Sequence, residues 1–262
     1  MRLPEYGDES LPFDELKKLQ YPILQMMKPH ERIIVALDVD SLEKALPLVE
    51  TLAPHVGCFK VGLELITSAG APQVVQAIHE RGGKVFFDGK FDDIPNTIAG
   101  AAKAAAKMGV HMFDVHACSG REGMKAAAQH KGTSLLLAVT VLTSFDDAGS
   151  CQVFGAPSHE KVKQFAEAAA QSGVDGIVCS PQELLMLSQN PLTQKLIKVT
   201  PGVRPQWASA NDQKRTLTPK EAIQNGASYL VIGRPILQPP SVMASPQAAA
   251  KEIALEIAEA LK

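Results

Sequence analysis

From residue 33 onward, short aliphatic or β-branched runs alternate with stretches whose apolar residues recur at helical spacing. The runs fall at 33–38, 58–61, 84–88, 112–116, 135–140, 176–179, 197–200 and 229–232, which makes about eight predicted strands. Each is apolar almost throughout, the pattern of parallel strands covered on both faces, whereas a strand with one wet face would alternate. Between them the helix signals are strong. Ser180-Pro181-Gln182-Glu183 and Thr218-Pro219-Lys220-Glu221 each join an N-cap hydroxyl, a proline at the first helical position and a capping-box glutamate, so each is expected to open a helix. Pro72 starts a helical pattern through Val74, Val75 and Ile78 that Gly82 and Gly83 stop, and an alanine-rich helix over 99–108 ends at Gly109. Pro47, inside the helical pattern at 42–52, predicts a kink or an early end to the first turn. Repeated βα units predict an α/β fold of the (β/α)8 TIM-barrel kind, with an open doubly wound sheet as the alternative. No Gly-x-Gly-x-x-Gly follows the first strand, which weakens the dinucleotide-binding form of that alternative.

No internal repeat, low-complexity tract or linker divides the barrel region. The expected organisation is an N-terminal extension, 1–30, with a helix over 13–27 interrupted by Pro22, followed by one domain, 31–262. Two connections read as long and irregular, 143–159 after the fifth strand and 201–218 after the seventh. On a barrel both belong to the C-terminal face, where binding loops gather, and both are candidate lids.

Composition narrows the function classes. A chain of 262 residues, 45% hydrophobic and 21% charged, can bury a large core. A net charge of -2 and a pI near 6.4 offer no basic surplus for nucleic acid or an anionic membrane, so an anionic ligand must be met by local cations. Cys58, Cys118, Cys151 and Cys179 lie far apart without a Cys-x-x-Cys pair, which argues against a zinc site or a disulfide framework and predicts reduced, mostly buried thiols. The N-terminus is polar and acidic, and no apolar run reaches the ~18 residues of a membrane span. A cytoplasmic protein is expected.

Charges collect where the apolar strands finish. Asp38 ends the first strand, Lys60 lies in the second, and Asp88 with Lys90 ends the third, so all four would meet at one mouth of a barrel. If the chain stays extended through Lys90, the period of two puts Asp88 and Lys90 on the same side. A solvated salt-bridge rim is the plain reading of such charges. Their convergence on three successive strands, where they would perturb one another's protonation, favours chemistry, with a lysine held charged between carboxylates as a ready proton donor. A second constellation follows strands seven and eight: Thr200-Pro201-Gly202-Val203-Arg204, then Gln213, then Ile232-Gly233-Arg234-Pro235. Loops at these places in barrels commonly bind phosphate through backbone N–H groups, and Arg204 and Arg234 add charge unless they are ordinary solvated arginines. Together the two clusters suggest a phosphorylated small molecule. His116 ends the fourth strand and either lines the pocket or is a hydrogen-bonded structural histidine. Trp207 reads most simply as a packing residue of the seventh-strand loop.

These motifs, in this order, closely resemble the orotidine 5′-monophosphate decarboxylase family. The resemblance runs from Ala36-Leu37-Asp38 and Phe59-Lys60-Val61-Gly62, through Asp88-Gly89-Lys90-Phe91-Asp92-Asp93-Ile94-Pro95-Asn96-Thr97 and Val139-Thr140-Val141-Leu142-Thr143-Ser144, to Thr200-Pro201-Gly202-Val203-Arg204-Pro205, Asp212-Gln213-Lys214-Arg215 and Ile232-Gly233-Arg234-Pro235. The extension before residue 31 lies outside it. The resemblance implies conversion of orotidine 5′-monophosphate to UMP and CO2 without cofactor or metal, by a homodimer. It implies that Lys90 protonates C6, that Asp88 crowds the substrate carboxylate, and that Lys60 and Asp38 hold the charge network and the ribose hydroxyls. It further implies that Asp93 and Thr97 reach into the partner's site, that Thr143 meets the pyrimidine edge, and that Gln213, Arg234, the Gly233 amide and Arg204 bind the phosphate. The nearest rival is a magnesium-dependent sugar-phosphate decarboxylase or aldolase on the same barrel, in which an acidic residue of the second strand helps hold the ion; Lys60 at that place argues against it.

Overall fold

The computed structural model describes residues 26–208 and 217–262. Its strands β1 (Ile33–Ala36), β2 (Cys58–Val61), β3 (Val85–Phe91), β4 (Met112–His116), β5 (Leu135–Val139), β6 (Gly176–Val178), β7 (Ile197–Pro201) and β8 (Tyr229–Ile232) pair in parallel in chain order, and β8 pairs back onto β1 to close a barrel. The doubly wound alternative is thereby removed. Helices α1 (Leu42–Leu52), α2 (Leu63–Ala69), α3 (Ala71–His79), α4 (Pro95–Lys107), α5 (Gly120–His130), α6 (Asp147–Phe154), α7 (Ser158–Ala170), α8 (Leu184–Gln189), α9 (Pro219–Gln224), α10 (Arg234–Leu237) and α11 (Pro246–Leu261) lie in the connections and after β8.

Alternation along each strand divides the core in two. Ile34, Cys58, Phe86, Met112, Leu137, Ile197, Val199 and Tyr229 fill the barrel's interior. Ile33, Val35, Phe59, Val61, Phe87, Phe113, Val115 and Ile177 face the helices, where they pack with residues such as Val49, Ile78, Ala102 and Ile253. Two fully covered faces explain the nearly unbroken apolar runs. The inward set continues upward from Cys58 to Lys60, from Phe86 to Asp88 and from Met112 to Asp114, so the same alternation that packs the floor delivers charge to the mouth.

Local predictions fare unevenly. The capping boxes at Ser180 and Thr218 both form, the first opening a 3-10 turn, Pro181–Glu183, that leads into α8, the second opening α9. Pro47 neither ends nor shortens α1, which runs through it from Leu42 to Leu52. The alanine-rich helix starts four residues before the expected 99, at Pro95, since proline is well suited to a first turn that needs no N–H. The 143–159 connection is not irregular throughout: Asp146 accepts the Gly149 N–H as an N-cap and opens α6. Phe145, Phe154 and Phe165 then stack edge to face and tie α6 to α7. All four cysteines are free, but only Cys58 and Cys179 are buried; Cys118 and Cys151 are exposed because they fall in the connections after β4 and β5. The predicted helix over 13–27 lies almost wholly outside the described residues, as do Gln213 and its neighbours. Among the described residues no helix is long and apolar enough to cross a membrane.

Candidate active site

The mouth at the C-terminal ends of β1 to β4 is held by an ion-pair chain. Lys60 Nζ stands 3.2 Å from Asp38 Oδ1 and 3.1 Å from Asp88 Oδ2, and Lys90 Nζ closes on Asp88 Oδ1. Burial by itself would discharge Lys60, but Asp88 and Asp38 outweigh it, so the net shift of its ammonium is upward. Burial likewise opposes the charge on Asp88, and the two lysines together with Asp114 reverse that, so its carboxyl is held below the usual range. Gly62 makes room for this arrangement: a Cβ there would lie 3.1 Å from Lys60 Nζ.

Lys90 does not reach Asp88 by strand periodicity. The pairing of β3 with β4 runs Phe87 to Phe113 and then Phe91 to Val115, so four steps of β3 span two of β4. The excess is a bulge over Asp88, Gly89 and Lys90. Lys90 has φ 49°, the one left-handed backbone among the described non-glycine residues. Gly89 has to be glycine, since a Cβ would fall 2.7 Å from the ring of Phe87 and 2.9 Å from that of Phe91. Those rings and Phe113, with centroids 5.9–6.0 Å apart, pack behind the bulge. The extended course expected through Lys90 is therefore corrected, although the two side chains do meet.

Lys60, Asp88, Lys90 and Thr143 line a cavity of about 160 Å³ with Phe86, Asp114, Val139, Val178, Pro201 and Val231. A second space of about 800 Å³ opens from it, sharing Val141, Leu142, Thr143 and Pro201 and reaching Ser180 and Glu183. The inner cavity thus has a charged wall from β2 to β4 and an apolar wall from β5 to β8. Asp38 belongs to the charged chain, and Gly233 of the last βα turn stands next to it: a Cβ on Gly233 would be 3.7 Å from Asp38 Oδ2.

Other expected residues are placed differently. Asp93 and Thr97 are exposed and line neither space, Asp93 accepting the Ile94 N–H ahead of α4 and Thr97 standing in its first turn. Arg204 is not a solvated arginine; it is 8% exposed, and its Nη1 donates to the Val203 carbonyl at 3.0 Å. Arg234 is exposed at the start of α10. His116 is half-buried, burial lowers its imidazole, and it lines neither space. Trp207 packs on the core, as expected of it.

One residue escaped the sequence reading. Asp114, inward on β4 and 1% exposed, accepts the backbone N–H of Lys90 through Oδ1 at 2.8 Å. Burial and then the charge of Asp88 raise its carboxyl well above the ordinary range. The available signal was a carboxyl inside an apolar strand, in register with inward Met112 and His116.

A closed eight-stranded parallel barrel with a lysine–carboxylate chain at its C-terminal mouth has the architecture of a barrel enzyme, with fixed charges where such enzymes keep their active sites. Comparison with known proteins makes the class specific. Residues 31–253 match the model of the orotidine 5′-phosphate decarboxylase / HUMPS family. A Moorella thermoacetica orotidine 5′-phosphate decarboxylase is 45% identical over 246 residues, covering 89% of this chain and 95% of that protein. Its counterpart from a Nostoc species is 46% identical over 239 residues, covering 87% and 98%. The crystal structure of orotidine 5′-phosphate decarboxylase from Lactobacillus acidophilus superposes with a TM-score of 0.73 at 36% identity, over 86% of this chain and 98% of that one. The chain belongs to the orotidine 5′-phosphate decarboxylase family.

Proposed function

We propose that this mouth decarboxylates orotidine 5′-monophosphate to UMP and CO2 in pyrimidine synthesis, with Lys90 as the proton donor. The observation that carries the reading is the Lys60–Asp88–Lys90 chain at the wall of a cavity whose opposite wall is apolar. Breaking the C6–carboxylate bond leaves its electron pair on a ring carbon with no conjugated sink. The Lys90 ammonium, already in place, stabilises that pair and then gives C6 its proton, while CO2 leaves and the amine regains a proton from water. Asp88, kept ionised by two lysines, faces the departing carboxylate and fixes both cations. Lys60 and Asp38 extend the network toward the ribose, and Thr143 meets the edge of the base. Preorganised charge of this kind acts without reorganising during the reaction, which suits a step at the demanding end of the barrier reductions of about 8–23 kcal/mol that enzymes achieve.

The phosphate falls to the loops after β7 and β8: the Gly233 amide, Arg234, Gln213 and Arg204. Gly233 beside Asp38 supports the continuity of phosphate and ribose subsites. The first amides of a helix have no intrahelical partner and suit an anion. Arg204, buried against its own loop, contributes by shaping that loop as well as by charge.

The working form is a homodimer, with Asp93 and Thr97 completing the partner's site. Support comes from their exposure outside their own cavity and from the bare apolar residue beside them, Ile94, which is 66% exposed. Four free thiols agree with a reducing, cytoplasmic setting.

The test is incubation with orotidine 5′-monophosphate in excess EDTA. Formation of UMP at the metal-replete rate is expected; no UMP under either condition removes the reading, and loss with EDTA alone favours the metal-dependent rival. Lys90→Ala should abolish turnover while UMP still binds; near-normal turnover would remove Lys90 as donor.

A further inference from the structure

Asp114 contributes nothing to the reaction as described, yet it is a buried carboxyl in the wall of the reacting cavity. Its surroundings give it a definite task. The β3 bulge draws Lys90 out of the ladder with β4, so the Lys90 N–H needs an acceptor other than a neighbouring-strand carbonyl. Asp114 is the β4 residue between the two resumed pairings, Phe113 and Val115, and its Oδ1 receives that N–H at 2.8 Å. The bond falls on the one described non-glycine residue in the left-handed region, where the backbone holds only if its surroundings impose it.

The charge on Asp114 follows from its neighbours. Lys60 and Lys90 both pair with Asp88; among the described residues no ammonium forms an ion pair with Asp114, which feels Lys90 only as a weaker opposing charge. From β3 it faces Asp88 and Lys90; its β5 partner, Leu137, is apolar; His116, inward on the same strand, has its imidazole lowered by burial. Oδ2 accepts no N–H or O–H among the described residues, and its neighbour is the Asp88 carboxylate, to which a neutral Asp114 donates a hydrogen bond. Two adjacent carboxyls, one paired with two cations and one paired with none, do not both ionise. Burial and the Asp88 charge raise the Asp114 carboxyl accordingly. A second anion here would also oppose entry of the substrate's own carboxylate.

We infer that Asp114 is a positioning residue for Lys90: a neutral carboxylic acid that replaces the ladder acceptor lost at the bulge and thereby fixes where the Lys90 ammonium stands. This rests on the decarboxylase reading above. Asparagine reproduces the neutral acid, with an oxygen for the Lys90 N–H and a donor on the other branch, while alanine offers neither. Asp114→Asn should keep kcat for orotidine 5′-monophosphate within about 3-fold of wild type. Asp114→Ala should lose about 100-fold in kcat, the scale of a donor misplaced by roughly an ångström, while KM and UMP affinity stay within about 3-fold. Rescue by asparagine, together with a loss confined to kcat, is what a merely structural residue would not give. An Asp114→Asn enzyme as slow as the alanine variant would overturn the neutral acid. An alanine variant with normal kcat, or one changed only in KM, would overturn the positioning role. Should the alanine variant not fold, Asp114→Asn still decides, because loss of its turnover with UMP binding intact sinks the inference. Wild-type turnover is measured alongside, so failure of the decarboxylase reading is seen separately as absence of UMP.

Discussion

Single side chains in and around the mouth hold their protonation states by opposite means. Lys60 and Asp88 stay charged because each has an opposite charge within about 3 Å, which outweighs burial. Glu183, the capping-box residue after β6, has no such cation among the described residues, and burial pushes it up to about 7 from an ordinary 4.5. The folded chain therefore holds this proton more tightly than the unfolded one. Its contribution to stability is complete below pH 4.5 and is lost as pH rises to 7, by at most about 3 kcal/mol for a shift of this size. Glu183→Gln keeps the cap and removes the proton, so the stability difference between wild type and variant should change across that interval in urea titrations at stepped pH; a constant difference would show that Glu183 titrates normally. The capping box was legible because its pattern is local. The raised proton affinity was not, since it depends on which residues cover Glu183. Asp114 differs again: its strand was legible, but its place in the site comes from a backbone N–H 24 residues earlier, on the preceding strand, which composition does not display.

At the scale of elements, the bulge in β3 sets where Lys90 stands. A regular strand would present Asp88 and Lys90 side by side with no control over the lysine's height above the barrel floor. Two extra residues against β4, pinned by three phenyl rings and Asp114, set that height. Gly89→Ala tests the element directly. Its Cβ would press on Phe87 and Phe91 at under 3 Å, and relief requires moving rings or backbone. Turnover should fall at least about 10-fold with UMP binding nearly intact, read from steady-state kinetics and calorimetric titration; unaltered kcat would mean that the rings yield without shifting Lys90. Sequence pattern ended this strand at 88 because Gly89-Lys90 breaks the apolar run, and nothing in the pattern distinguishes a bulge from a strand end. The β5 connection was misjudged for a related reason: α6 is held by an N-cap and an aromatic stack, with little apolar periodicity of its own.

For the whole molecule, the barrel was the most legible feature, because eight doubly covered strands and their helices repeat one pattern many times and a local error costs little. Assembly is a different matter, since an interface shows in one chain only as uncovered residues. The paired-site reading makes a sharp prediction. Mixing inactive Lys90→Ala and Asp93→Asn chains should restore up to about a quarter of wild-type activity per heterodimer-forming mixture, because one of the two shared sites then has both residues intact, and half of randomly paired chains are mixed. Heterodimers demonstrated by mass spectrometry but devoid of activity would place Asp93 in its own subunit's chemistry.

The inner cavity also divides along the chain. Its charges come from β2 to β4, all before residue 117, and its apolar wall from β5 to β8, all after residue 134. On the proposed reading, proton delivery and the ribose contacts belong to the first half of the polypeptide, and the contacts to the base edge and the phosphate belong to the second. Grafting strand-end loops from a related barrel into the second half should change which phosphorylated ring is accepted and leave the proton-delivering half intact, so new substrate scope can arise by recombination at a single crossover near the α5–β5 turn.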